Sequence, residues 1–264
     1  MKDDIKIIGD RTESKYDPNL AERLNKEVEE KIRRERLEGK KTELKPKQES
    51  PVTEPEIITP NDDSWLIESD KYAIQLSKSL IPSATQAKQI NDYTTNPDSF
   101  KPANYPNIFL IGQMLYHNSH QQKDKILKFL TESFQNNWIQ TSSGILYKSN
   151  GKDEIIHNIK MPSEYKHLTD LISSDGEVVQ ADEEALKYLT GLKSLDEIKE
   201  IAQFLTSKNK TYISRFNKKP DSDTYRVAWF YTNSDRAYLD CDWDPGHLYP
   251  ALGVRIVAKK IVGN

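Results

Sequence analysis

Four short segments after Lys208 constrain the fold most strongly. "TYISRF", "YRVAWFY", "AYLDCDW" and "LGVRIVAKK" are rich in aromatic and β-branched residues, and Asp, Asn, Ser, Pro and Gly separate them. Each segment predicts a β-strand. Because several earlier segments carry helical spacing instead, the pattern predicts an α+β protein.

The first quarter of the 264-residue chain predicts little hydrophobic core. Charged residues make up 30% of the chain and the mean hydropathy is -0.78. We interpret residues 1–63 as a charged, partly disordered segment, with a helix from Leu20 to Leu37 capped by Asn19 and a linker from Lys40 to Asp63. The folded domain is then residues 64–264, with its ordered part beginning near Trp65.

Charge and cysteine usage narrow the class of partner. The net charge of -3 gives no overall attraction to nucleic acid or to an anionic membrane, so neither partner is expected. No apolar run is long enough to cross a bilayer, and the acidic start predicts no signal peptide. We expect a cytoplasmic protein, with display on a surface or a virion left open. The single cysteine, Cys241, excludes an internal disulfide.

Local patterns predict the elements of the folded domain. Ser83 is placed as the N-cap of a helix with Ala84, Ala87 and Ile90 on one face, and "YPNIFLIGQMLYHNS" is interpreted as a buried helix. Ser119 is placed as the cap of a helix with a core stripe of Ile126, Leu127, Leu130 and Phe134. Asn150-Gly151 predicts a type I′ hairpin turn between strands. Two further helices follow, one ending at Gly191 and one opening with Ser194 and Glu197 at capping-box spacing.

The strongest sequence signatures of enzymes and metal sites are absent. The chain has no Gly-rich phosphate loop, no His-Glu-x-x-His motif and no serine elbow. His117 and His120 share helical spacing but lack the further ligands that complete a zinc site. Asp240, Asp242 and Asp244 alternate along a strand, which indicates a solvent-facing acidic strip or, as the alternative, a calcium site. We therefore expect no cofactor and no metal, and we interpret Cys241 as a small core residue.

The segment from Arg226 to Val257 has an unusual composition. Lys, Glu, Gln and Met are all absent from residues 220–258, although "NKK" and "KK" lie on either side. Arg226 and Val227 open a strand, Trp229 and Arg236 follow, then "LDCDWDP", and "LGVRIV" closes the segment. These residues resemble the variable region of target proteins of diversity-generating retroelements, which have a C-type-lectin fold related to formylglycine-generating enzymes. Val254 departs from the Gly-Phe-Arg of the usual closing motif.

The resemblance explains the missing residue types. Such retroelements copy a template with errors at adenines, so diversified codons descend from AAC or AAT and never encode Lys, Glu, Gln, Met or Trp. Trp229 and Trp243 would then be fixed scaffold positions. The alternative is that strands and turns disfavour Lys and Glu on their own account. The single Cys241 argues against the oxidase activity of formylglycine-generating enzymes, which use paired cysteines.

The resemblance implies a non-catalytic binding module with a variable region at about 226–257 and an unknown protein or small-molecule ligand. The residues expected on its exposed, changeable surface are Phe230, Tyr231, Thr232, Asn233, Ser234, Asp235, Tyr238, Asp240, Asp242, His247 and Tyr249. The scaffold is expected to include Arg226, Trp229, Arg236, Cys241, Trp243, Gly253 and Arg255, with the three arginines donating to backbone carbonyls. The expected buried counter-face is Val227, Leu239, Cys241, Leu252, Val254 and Ile256.

Two other functions stay open at this point. One is an enzyme that uses His117, His120 or the strip of Asp240, Asp242 and Asp244. The other is a structural protein whose copies associate through residues 20–37. A cleft lined by acids of perturbed pKa would favour the enzyme, whereas an open aromatic surface would favour binding.

Overall fold

The computed structural model describes residues 62–69, 72–158, 164–167 and 175–258. The ordered part was expected to begin near Trp65, and the first strand does begin at Ser64. The proposed helix at 20–37 and all but the last residues of the proposed linker lie outside the described residues. Within the described residues the protein is a mixed α+β structure with two sheets and five α-helices, as the sequence predicted.

Strands and helices are interspersed along the chain, and the last four elements are all strands. The strands are β1 (Ser64–Glu68), β2 (Tyr72–Ala84), β3 (Lys101–Pro102), β4 (Ile139–Tyr147), β5 (Glu154–His157), β6 (Glu164–His167), β7 (Gly176–Glu177), β8 (Lys210–Ser214), β9 (Thr224–Asn233), β10 (Arg236–Trp243) and β11 (Tyr249–Ala258). The helices are α1 (Gln86–Thr95), α2 (Tyr105–His117), α3 (Lys123–Asn136), α4 (Glu183–Thr190) and α5 (Leu195–Thr206), with a 3₁₀ turn at Gln180–Asp182. None of the described helices is long and apolar enough to cross a membrane.

The smaller sheet joins the two ends of the described domain. Its strand order is β1-β2-β11-β3, and all its pairs are antiparallel. The long strand β2 pairs with β11 from Ala84 opposite Tyr249 to Ile74 opposite Ile256. The first half of the closing motif, Leu252 to Val254, therefore lies between β2 and the short strand β3.

The larger sheet has the order β6-β5-β4-β9-β10-β8-β7. Its pairs are antiparallel except β10 with β8, which are parallel. The hairpin of β9 and β10 sets Tyr231 opposite Tyr238, and Ser234 turns the chain with a φ of 46°. All four strands predicted after Lys208 are thereby confirmed as β8 to β11.

The main core lies between this sheet and the helices. Phe230 of β9 contacts Phe109 of α2 and Phe134 of α3, with ring centroids 5.6 Å and 4.8 Å apart. Leu239 and Cys241 of β10 belong to the same core. A smaller cluster on the opposite face of β9 contains Tyr225, Val227 and Trp229 with Ile90, Leu146 and Ile156. Both faces of β9 are therefore covered along most of its length.

Each helix predicted within the folded domain is present, but two of them begin at other residues than predicted. The buried helix is α2, and the predicted end at Gly191 and cap at Ser194 are observed. Ser83 is not a cap: β2 continues through Ala84 because it pairs with Tyr249, and Thr85 caps α1 instead. Ser119 is not a cap either. The helix α3 begins at Lys123, after the Gln122 N–H donates to the His120 Nδ1.

The predicted hairpin around Gly151 forms, but its turn is not type I′. β4 pairs with β5, and Gly151 has a φ of +86°. Asn150 does not share that left-handed conformation, which both central residues of a type I′ turn need. The connection between β4 and β5 is longer than a two-residue turn. Within it, the Asp153 carboxylate accepts from the Lys148 N–H and pairs with Lys219.

Candidate functional site

The residues predicted to form the exposed, changeable surface divide into three groups. Asn233, Ser234 and Asp235 are exposed at the tip of the β9–β10 hairpin. Tyr231, Tyr238, Asp242, His247 and Tyr249 are partly exposed. Phe230, Thr232 and Asp240 are buried, so the prediction that they are exposed is wrong.

Each buried position has a physical reason. Phe230 points to the helix-covered face of the sheet, where it packs among Phe109 and Phe134. Thr232 points to the same face and donates its hydroxyl to the Phe134 carbonyl. Asp240 points to the other face, where Tyr231 and Trp243 donate to its carboxyl group.

The expected counter-face is buried but is not a single face. Val227, Leu239, Cys241, Leu252 and Val254 are fully buried, as predicted, and Ile256 is partly buried against the main core. Leu239 and Cys241 lie in the main core, whereas Val227 lies in the smaller cluster on the opposite face of the sheet. The hidden support of the surface thus comes from both sides of β9.

A row of aromatic side chains crosses the larger sheet. Tyr212 of β8, Tyr238 of β10 and Tyr231 of β9 are neighbours in register. Trp138, the residue before β4, continues the row. The Tyr231 and Tyr238 rings are stacked at 5.0 Å, while Tyr212 lies 5.9 Å from Tyr238 and Trp138 lies 5.8 Å from Tyr231. All four side chains are at least partly exposed, and Trp138 is 40% exposed.

A second group of rings extends this row. The buried ring of Trp229 stacks on Trp243 with centroids 4.4 Å apart and planes 6° apart. Tyr249 lies 4.2 Å from Trp229, and Trp138 contacts both Trp243 and Tyr249. We call the accessible residues of the two groups the aromatic surface; they are Trp138, Tyr212, Tyr231, Tyr238, Trp243 and Tyr249. Of the two tryptophans expected as fixed scaffold positions, Trp229 is fully buried, whereas Trp243 is half-exposed and belongs to the surface.

Asp240 is the acidic centre of the aromatic surface. Its Oδ2 accepts from the Trp243 indole N–H at 2.6 Å and from the Tyr231 hydroxyl at 3.2 Å. Burial raises the pKa of Asp240 to about 8, and the hydrogen bond and charge of Asp242 add to that rise. Asp240 therefore holds its proton to a higher pH than an ordinary aspartate does. Because Asp240 is buried, the strip is not the fully solvent-facing one expected.

Buried atoms beneath the surface are incompletely satisfied. The Trp229 indole N–H and the His247 Nδ1 have no hydrogen-bond partner among the described residues. The His247 ring lies 5.4 Å from Trp243. An unpaired buried donor costs about 1–3 kcal/mol, so the fold maintains this ring group at some expense in stability.

The three scaffold arginines all lie over aromatic rings. Arg226 is 4.9 Å from the Phe216 ring, Arg236 is 4.4 Å from Tyr212, and Arg255 is 5.1 Å from Phe100. Arg255 also donates to the carbonyl of Ser99 in the loop before β3, as predicted. Arg226 donates to the carbonyl of Tyr225, its neighbour in β9, so it does not hold a loop as expected. Arg236 instead donates to the Tyr238 hydroxyl and lies beside Asp235, so its predicted carbonyl contact is wrong.

Gly253 is a scaffold position for a steric reason. A Cβ built there would lie 2.8 Å from the Phe100 Cβ and 3.2 Å from the Ser77 Cβ. Gly253 also pairs with Pro102 of β3. Only glycine allows this close approach of strands.

A shallow cleft borders the aromatic surface. It has a volume of about 310 Å³ and lies beside Trp138 and Tyr249, with Gln135, Asn136 and Asn137 on one side and Leu248 on the other. None of its lining residues is charged. Asp240 is not among them.

The residues of the alternative enzyme do not assemble. His117 is exposed at the end of α2, whereas the His120 Nε2 bonds to the Leu66 carbonyl. Among the described residues no group of three His, Cys, Asp or Glu side chains is placed to hold a metal ion. Burial raises the pKa of the Cys241 thiol well above its usual value, which keeps it neutral in the core as predicted.

Trp138 and Tyr212 are the surface residues that sequence reasoning missed. Both lie outside 226–257, and each belongs to a segment recognised as strand-forming. The period of two places Tyr212 on the face opposite Ile213, but it gives no neighbour across the sheet. Only the strand order β8-β10-β9-β4 brings them beside Tyr238 and Tyr231.

Comparison with known proteins adds no identification. No family model, no curated protein and no solved structure matches this chain.

Proposed function

We propose that this chain is a non-catalytic binding protein that presents the aromatic surface to a ligand, on a C-type-lectin-like domain diversified by a retroelement. The observation that carries the proposal is the continuous row of half-exposed rings from Tyr212 to Trp138. Exposed Tyr and Trp provide rigid contact area at low entropic cost, which is why binding surfaces are rich in them. Soluble proteins seldom leave such a patch uncovered without a use for it.

The division of the variable segment supports diversification. The positions that remain accessible are Tyr231, Asn233, Ser234, Asp235, Tyr238, Asp242, His247 and Tyr249. Every one of these residue types is reachable from AAC or AAT codons by changes at adenine. Trp138 and Tyr212 lie outside the segment and would be constant partners of the changing residues.

The raised pKa of Asp240 gives little support to the alternative that the protein is an enzyme. Asp240 has a raised pKa, but its side chain is buried under Tyr231 and Trp243 rather than directed into a cleft. A general acid must contact its substrate. The open aromatic surface favours binding.

Assembly through residues 20–37 remains a separate proposal. Light scattering on the full chain and on a version lacking residues 1–63 tests it. A smaller oligomer after the deletion supports association through that segment, and an unchanged monomer removes the idea.

The DNA around the gene tests the proposed diversification. We expect a nearby reverse transcriptase gene and an imperfect repeat of the codons for 226–257, differing from the gene only at adenines. The differences should fall at the accessible positions and spare Phe230, Thr232 and Asp240, because these three are buried. A complete genome without the repeat, or differences spread over other bases, would contradict the proposal.

A further inference from the structure

One end of the aromatic surface combines rings with acidic groups and has no nearby cation in sequence. Between Arg236 and Arg255 the chain contains three aspartates and no lysine or arginine. Trp138 and Trp243 lie 5.3 Å apart at this end. The partly exposed Asp242 precedes Trp243 in β10; its backbone N–H donates to the Asp240 Oδ1, and the Trp243 indole N–H donates to the Asp240 Oδ2. We call Trp138, Trp243 and Asp242 the acidic end.

Elsewhere in the molecule, aromatic rings contact the cationic groups of arginine and lysine side chains. Three described rings carry an arginine, at 4.4 to 5.1 Å from the guanidinium carbon. Two carry a lysine at 5.2 Å and 5.9 Å. Among the described residues no cation lies over Trp138 or Trp243, although indole is the strongest cation-binding ring.

Guanidinium suits this end better than ammonium does. It is planar and weakly hydrated, so it can stack on an indole and still donate N–H groups to a carboxylate at its edge. An ammonium group is compact and strongly hydrated, and it offers no flat face for stacking. A phosphate-bearing partner is disfavoured because the nearest charged groups are carboxylates.

We propose that the acidic end binds an arginine side chain of a partner protein, stacked on Trp138 or Trp243 and hydrogen-bonded to Asp242. This inference rests on the proposed function, because it assumes that the aromatic surface is a binding surface. The uncharged cleft beside Trp138 and Tyr249 would take the residues next to the arginine, whose backbone groups its amide side chains can pair.

The test is a titration of the full chain with short peptides, followed by NMR of the tryptophan indole N–H signals. The probe is acetyl-Gly-Arg-Gly-Arg-Gly-amide, with matched peptides in which lysine or the neutral isostere citrulline replaces arginine. Trp138→Phe identifies the Trp138 signal. We expect the arginine peptide to shift the signals of Trp138 and Trp243 at concentrations at least about 5-fold below those at which the other two act.

Variants locate the contact. Trp138→Ala and Asp242→Asn should each weaken binding of the arginine peptide by about 5-fold or more, which corresponds to a lost contact of about 1 kcal/mol. Asp124→Asn is the matched control, because it removes the same charge from an exposed residue in the first turn of α3, at the far end of that helix from Trp138, and should leave binding unchanged. Thermal unfolding of each variant shows that it is folded, and Trp138→Phe keeps a ring in place should Trp138→Ala unfold.

Equal shifts with citrulline, equal shifts with lysine, or no shift with any peptide would each overturn the arginine assignment. Equal losses in Asp124→Asn and Asp242→Asn would do the same. These failures are distinct from failure of the proposed function. A template repeat around the gene would keep that proposal standing without arginine binding, and arginine binding without a repeat would remove only the diversification.

Discussion

The two faces of the β9–β10 hairpin differ in what covers them. On one face, Phe230 and Leu239 are sealed by helices α2, α3 and α5. On the other face, Tyr231 and Tyr238 stack on each other and remain half-exposed. Neighbouring residues at this end of the strand therefore differ: Phe230 and Leu239 are packed into the main core, whereas Tyr231 and Tyr238 remain accessible.

The largest expected effect comes from truncating a ring on the covered face. Phe230→Ala should lower the free energy of unfolding by about 3–5 kcal/mol, because it leaves a cavity among Phe109 and Phe134. Tyr231→Ala, one residue away, should cost only about 1–2 kcal/mol, since it loses ring stacking and one hydrogen bond to the Asp240 carboxyl, which still accepts from Trp243. Urea denaturation of both variants measures the difference, and equal losses would break the comparison between the faces.

A pH effect should appear at Asp240 on the open face. Its pKa is raised in the folded protein, so the folded state holds a proton that the unfolded state releases above about pH 4. The stability from this group is complete below the unfolded pKa and declines as pH rises through about 8. The groups that act on its carboxyl are Asp242, Tyr231 and Trp243 on the open face.

Asp240→Asn removes this titration. The unfolding free energy of the natural chain should fall relative to that of Asp240→Asn between pH 5 and 8, by at most about 1.4 kcal/mol per pH unit for one proton. Denaturation at a series of pH values gives both curves. Parallel curves would show that the pKa of Asp240 is not raised in the folded protein.

The smallest effect is expected at the hairpin tip. Asn233→Ala and Asp235→Ala should each change the unfolding free energy by less than about 0.5 kcal/mol, because both side chains are exposed. Asp235 pairs with Lys210 at 3.5 Å, but an exposed pair contributes little. A loss above 1 kcal/mol at either site, in the same urea assay, would mean that the tip supports the fold.

The sequence predicted the helices and strands better than it predicted which of their residues are buried. Strand propensity and turn residues were sufficient to find β8 to β11, an apolar run was sufficient to find α2, and capping-box spacing was sufficient to find α5. The period of two also implies that Phe230 and Tyr231 point to opposite faces, yet both were expected to be exposed. Which face the helices cover depends on packing across the whole domain, and no local pattern records it.

The same limit applies to the site. The composition of 226–257 indicated a recognition segment, and its half-exposed residues do lie together. Trp138 and Tyr212 join them through a strand order that includes the parallel pair of β10 and β8, which turn chemistry does not specify. The burial of Asp240 depends on donors from Tyr231 and Trp243 that alternation alone does not place.

The central claim is that the open face tolerates change because stability resides elsewhere. It is tested most directly by a library in which the accessible positions, from Tyr231 to Tyr249, are replaced together by residues from the AAC and AAT codon set. A matched library changes only Phe230, Thr232 and Asp240. Proteolysis of displayed members reports folding; we predict that most members of the first library stay folded and most of the second do not, and similar survival in both would contradict the claim.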